Sequence, residues 1–178
     1  MWVQNLEKLA GDFQSWVSMI FERPLPDRNL YLCEASSIDQ LPDELSLASQ
    51  RFCLLLAMDA DAVSSDLVFD TALTLVRRGL VYLCAWGPGC KRVHDIFDDA
   101  ALGTDLVLRL TGDDVIMTTS HEGEPLTETL WYFVHSAFPT PGLEQGCSDW
   151  IVACVGKHEW ARKIRDIARD TVYLPPQD

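Results

Sequence analysis

Short apolar runs alternate with helical patterns along most of this chain, and the runs are apolar nearly throughout rather than at every second residue. They are Leu30 to Cys33, Phe52 to Met58, Leu80 to Trp86, Val115 to Thr119 and Trp150 to Val155. A strand with one wet face alternates polar and apolar residues, whereas a strand covered on both faces does not, and parallel strands are covered on both. Helical patterns fill the gaps. Ser37 with Gln40 makes a capping-box pattern for a short helix over 38 to 49, and Ser64 or Ser65 caps a helix with the inner stripe Val68, Ala72, Leu75 and Val76, which Gly79 stops. Val93, Ile96, Phe97 and Ala100 form the next stripe. Pro125 opens a helix carrying Leu126, Leu130, Phe133, Val134 and Ala137, and Trp160, Ile164, Ile167 and Ala168 face inward from the last.

Repeated strand and helix order implies right-handed crossovers, so the sequence predicts an α/β fold. Its core is a doubly wound, mostly parallel sheet of about five strands flanked by helices, Rossmann-like or flavodoxin-like. Leu6, Leu9, Phe13, Trp16, Val17 and Ile20 predict an N-terminal amphipathic helix, ended by Arg23-Pro24-Leu25-Pro26. Leu106 to Leu110, ahead of Thr111-Gly112-Asp113-Asp114, predicts an extra edge strand in a hairpin with the Val115 run. With 178 residues, no repeat and no long linker, the chain reads as a single domain: 1–29 the first helix and a proline-rich connector, 30–178 the sheet and its helices.

Charge narrows the range of partners. The 27 acidic and 14 basic residues give a formal −13, a field that disfavours direct binding to nucleic acid or an anionic membrane surface and suits a basic protein partner. The excess is local: residues 104 to 150 carry one basic residue, Arg109, against eight acidic ones, whereas 151 to 178 carry five basic against four acidic. An acidic docking face around Asp113, Asp114, Glu122, Glu124 and Glu128 follows, alongside the plainer reading of a solvated surface. No signal-peptide pattern and no membrane-length apolar run is visible, and the six cysteines include no C-x-x-C pair. The expectation is a cytoplasmic protein with reduced thiols.

In such a sheet, ligands bind beyond the carboxyl ends of the strands. Asp59 and Asp61 follow the second run; Gly87-Pro88-Gly89-Cys90, then His94, follow the third; His121 and Glu122 follow the fourth; Lys157 and His158 follow the fifth. Cys90 at a helix start, with His94 one turn on, His121 and Asp59, supplies the parts of a thiol-dependent hydrolase. Against that stands a packing role for Cys90, three residues before the inward Val93. Cys90, His94, His121 and His158 are also the residue types of a tetrahedral zinc site. Lys91, Arg92 and Lys157 are candidates for binding an anion at a helix start. The turn Gly87-Pro88-Gly89 lacks the third glycine of a dinucleotide fingerprint, Arg92 standing in its place, so no cofactor is expected.

The stretch from Cys84 to Asp98, with Thr118-Thr119-Ser120-His121-Glu122 and Leu130-Trp131-Tyr132-Phe133, resembles an uncharacterised bacterial family of Rossmann-like domains of unknown function. That resemblance implies a bacterial origin and no particular activity. A fainter similarity is to nucleoside deoxyribosyltransferase-like domains, with Asp59, Asp61 and Asp70 in places comparable to their acidic residues and without their Gly-Thr-Ala and Glu pattern. The leading expectation is a non-catalytic acidic interaction module, such as an immunity or defence-system accessory subunit. The alternatives are a small hydrolase or glycosyl-transfer enzyme acting on a nucleotide-like small molecule at the strand ends, and a metal-binding regulator.

Overall fold

The computed structural model describes residues 18–19, 28–45, 47–103 and 115–171. Five strands are mutually parallel: β2 Asn29–Ala35, β3 Arg51–Met58, β4 Leu80–Trp86, β5 Met117–His121 and β6 Cys147–Val155. A two-residue strand, β1 Ser18–Met19, pairs antiparallel with β2 at one edge. The order across the sheet is β1-β2-β6-β3-β4-β5. Numbering only the parallel strands gives 1-5-2-3-4, which is neither the Rossmann order 3-2-1-4-5-6 nor the flavodoxin order 2-1-3-4-5.

Strand β3 shows why uniform apolarity means burial on two sides. Its side chains alternate between faces: Phe52, Leu54, Leu56 and Met58 join one core cluster, and Cys53, Leu55 and Ala57 the other. The first cluster is closed by the short α1 Leu41–Glu44, by α2 Ser65–Arg77 and by α3 Cys90–Leu102, through Leu41, Leu75 and Phe97 among others. The second is closed by α4 Leu126–His135, by α5 Pro141–Glu144 and by α6 His158–Thr171, through Phe133, Leu143 and Ile164. Chain direction explains the split. Strands β2 to β5 advance one way across the sheet and β6 returns, so right-handed crossovers must change face between the two movements. No helix among the described residues is long and apolar enough to cross a membrane.

Several expectations shift. The fourth strand starts two residues later than its apolar run: among the described residues β5 pairs with β4 alone, and Val115 is exposed. The expected helix over 38–49 is only a 3-10 turn, Ile38–Gln40, followed by α1; Pro42 sits in its first turn and the Ser37 hydroxyl bonds Asp39 instead of capping an amide. Pro125 is the N-cap of α4 rather than its first helical residue. The strand expected over Leu106–Leu110, Asp113 and Asp114 lie outside the described residues, as does the N-terminal helix except for Ser18–Met19, which form β1.

Candidate functional site

Strands β2, β3 and β4 are followed by helices on one face, β5 and β6 by helices on the other. Neighbours that part in this way leave a crevice at their carboxyl ends, and both clefts described below occupy such positions.

The first cleft, about 300 Å³, opens where β4 and β5 end and is lined by Trp86, Gly87, Gly89, His121, Glu122 and Glu124 among others. His121 ends β5 and is buried, its Nδ1 2.7 Å from Glu124 Oε2 and its Nε2 3.1 Å from Thr119 Oγ1. Both ring nitrogens are thereby engaged, and the ring lies tilted at 55° to that of Tyr132, centroids 4.8 Å apart. Behind it the Tyr82 and Tyr132 hydroxyls bond each other at 2.9 Å, and Thr119 also reaches Cys84 Sγ at 3.3 Å. Trp86 donates its indole N–H to the Glu124 carbonyl at 2.8 Å and meets Trp160 edge to face at 5.0 Å. Glu122, Glu124 and Glu128 are exposed, and among the described residues Glu122 and Glu128 form no ion pair.

The thiol-hydrolase set does not assemble. Cys90 is 1% exposed; burial pushes its thiol up, although the His121 main chain bonds it. A thiol held protonated is a poor nucleophile. His94 turns to Asp95 at 3.1 Å and Asp98 at 3.7 Å, away from the role of a base for Cys90. His158 is exposed and bonds Glu34 on β2 at 2.9 Å. His121 ends β5, whereas His158 starts α6 and is held by Glu34 on β2; those two strands lie four places apart in the sheet, roughly 19 Å at about 4.8 Å per spacing, too far to share one zinc ion. Among the described residues no group of three His, Cys, Asp or Glu side chains is placed to hold a metal.

The predicted anion site is occupied by the protein itself. Arg92 donates to the carbonyls of Ala60 and Val63, the latter at 2.9 Å, and to Ser65 Oγ at 2.9 Å, so it braces the loop between β3 and α2. Asp61 Oδ1 lies 2.8 Å from where a Cβ on Gly89 would stand, placing a carboxylate of the chain at the start of α3. Lys91 is exposed on the first turn of α3.

The second cleft, about 290 Å³, lies at the ends of β2, β3 and β6. Lys157 and Asp59 face each other across it at 3.8 Å, each 39% exposed, over Ile38, Met58, Val63 and Leu67. Lys157 also sits 5.9 Å from the Trp160 ring centroid. Asp70, on α2, is exposed and takes no part in the cleft's lining. Sequence reasoning found Asp59 and Lys157 singly; their pairing depends on β3 and β6 being neighbours, which no local pattern encodes.

The chain belongs to the family described as a domain of unknown function, DUF7684, whose model matches residues 30–171. No curated protein and no solved structure matches it.

Proposed function

We propose that this domain is a non-catalytic interaction module of a cytoplasmic bacterial protein, in the manner of an immunity or defence-system accessory subunit, and that it docks a basic partner at the cleft beyond β4 and β5. The observation carrying this reading is the pairing of Trp86 with the unneutralised carboxylate of Glu122 in the lining of one cleft, with a second unneutralised carboxylate, Glu128, on the first turn of the helix that follows. A lysine or arginine side chain fits that chemistry, since an indole face and carboxylates both attract a cation. The failure of Cys90, His94, His121 and Asp59 to converge argues against the hydrolase alternative.

The test uses a fluorescent oligolysine peptide and the full chain. Reversing two charges with Glu122→Lys and Glu128→Lys, while leaving Glu124 on His121, is expected to weaken binding at least tenfold at physiological salt. The exposed pair Asp70→Lys and Asp99→Lys makes the same change in net charge elsewhere and is expected to weaken it far less. Equal losses in the two variants would reduce the reading to bulk electrostatics.

A second reading rests on the Lys157–Asp59 cleft. It supports a small, polar ligand with an apolar body, held by one positive and one negative group at a crevice of the kind where doubly wound sheets bind ligands.

A further inference from the structure

We propose that Cys53 and Cys147 form a dithiol site that a hydroperoxide converts reversibly to an intramolecular disulfide. Their sulfurs lie 3.8 Å apart across the β3–β6 pair, in van der Waals contact, and a disulfide bond needs about 2.05 Å. The backbone that must give is the least regular part of that ladder. Cys147 is the first residue of β6, follows Gly146 at φ 79, and pairs with Arg51, where the register shifts before Phe52.

The two thiols differ in the way an attacking and a resolving cysteine must. Cys147 is half-buried, whereas Cys53 is wholly buried in β3. The hydrogen bond from Cys53 holds the Cys147 thiol below its ordinary value, against burial and the nearby Asp149, with Arg51 and Arg28 adding positive charge. Burial above all pushes Cys53 up, and a thiolate on Cys147 raises it further. By contrast, burial lifts Cys33, Cys84 and Cys154 to about 12. A half-buried, thiolate-prone sulfur beside a second thiol is the arrangement of peroxide-sensing cysteines.

The chemistry balances with one hydroperoxide. The Cys147 thiolate attacks the distal peroxide oxygen; the S–O bond forms, the O–O bond breaks, and the departing oxygen takes a proton and leaves as water or an alcohol. Cys147 is now a sulfenic acid, oxidised by two electrons. The Cys53 sulfur, giving up its proton, attacks it; the S–S bond forms and the S–O bond breaks, releasing water. A thiol reductant reverses the product.

The test treats the full chain with hydrogen peroxide at neutral pH. The native protein should lose two of its six free thiols, become lighter by about 2 Da, yield a Cys53–Cys147 linked peptide, and recover with dithiothreitol. Cys53→Ser, which keeps a hydrogen-bond donor to Cys147 but cannot form the disulfide, should instead leave Cys147 as a sulfenic acid that dimedone labels. Oxidation of native protein at other cysteines first, over-oxidation of Cys147 without the linked peptide, or a disulfide between two chains would each overturn the proposal, independently of whether the variant folds.

Discussion

Gly87 and Gly123 line the same cleft, and both have positive φ, 110° and 74°, yet alanine should be far worse at the first. A Cβ on Gly87 would collide with the Met58 carbonyl oxygen, stand 3.1 Å from that carbonyl's carbon, and lie 3.4 Å from the Trp160 ring; at Gly123 nothing stands within 4 Å. At Gly123 only the backbone conformation is penalised, about 1–2 kcal/mol for a left-handed residue. At Gly87 the φ lies beyond the left-handed well, costing about 1–3 kcal/mol, and the overlap is with main chain at the end of β3, which cannot rotate away. Overpacking of that kind adds about 1–3 kcal/mol, so Gly87→Ala should lose about 2–6 kcal/mol in all. For a chain of this size each kcal/mol moves Tm by about 2–4 °C, giving falls of about 4–24 °C for Gly87→Ala and about 2–8 °C for Gly123→Ala. Thermal and urea unfolding, followed by circular dichroism, measure both. Equal losses would refute the claim that the close approach of β3 to the β4–α3 turn makes glycine obligatory there.

Two further outcomes follow from named contacts. Acid should destabilise the fold in two stages. Burial, helped by Arg28, holds His135 below its ordinary 6.5, so the unfolded chain takes up that proton first; the contribution is whole above about pH 6.5 and is lost as pH falls from there through the folded value. Burial pushes the Glu34 carboxyl up, but hydrogen bonds from His158 and Arg165 outweigh it and keep the group below 4.5. Its contribution is therefore present above 4.5 and lost as pH falls through the folded value. Urea midpoints against pH should show His135→Gln flattening the first stage and Glu34→Gln the second; an unchanged profile in either variant refutes its assignment. Arg92→Ala should remove the donors to Ala60, Val63 and Ser65, costing about 1–3 kcal/mol for two part-buried main-chain bonds at about 0.5–1.5 kcal/mol each, the Ala60 carbonyl keeping the Val63 N–H, and speeding hydrogen exchange in residues 60–65; slow exchange there would show that the loop is held otherwise.

What was legible in the sequence is what burial on two faces writes locally. The runs at Phe52, Leu80 and Trp150 are apolar because α/β packing covers them from both sides, and each lies within its strand, although β6 begins three residues before its run, at Cys147. Strand β5, which among the described residues pairs with β4 alone, is half-polar, Thr118, Thr119 and Ser120 being only partly covered, so hydrophobicity misplaces its start. Strand order leaves no local trace, and every pairing that depends on it was out of reach: Asp59 with Lys157, Glu34 with His158 and Arg165, Cys53 with Cys147. Cys90 drew the catalytic reading because a helix start lowers a thiol pKa. Its burial reverses that, and the thiol with a lowered pKa is Cys147, whose partner is 94 residues away. The acidic excess was visible as composition, but Glu124 belongs to a His121 clasp, a distinction that needs the turn geometry after β5.

The acidic cleft and the thiol pair stand at opposite ends of the sheet, and that separation has an experimental consequence. Cys147 opens β6, while the cleft lies at the carboxyl ends of β4 and β5. The eight residue steps from Cys147 to Val155 span roughly 26 Å at about 3.3 Å each. Sites so far apart with no shared side chain behave additively to within about 0.5 kcal/mol. Reversing Glu122 and Glu128 should therefore leave peroxide oxidation of Cys53 and Cys147 unchanged, and the disulfide should leave oligolysine affinity unchanged within about twofold, the factor that corresponds to that limit. A larger coupling would require movement of β6 as a unit, carrying the Lys157–Asp59 pair at its far end, and would mean that oxidation at one edge is read out at the other.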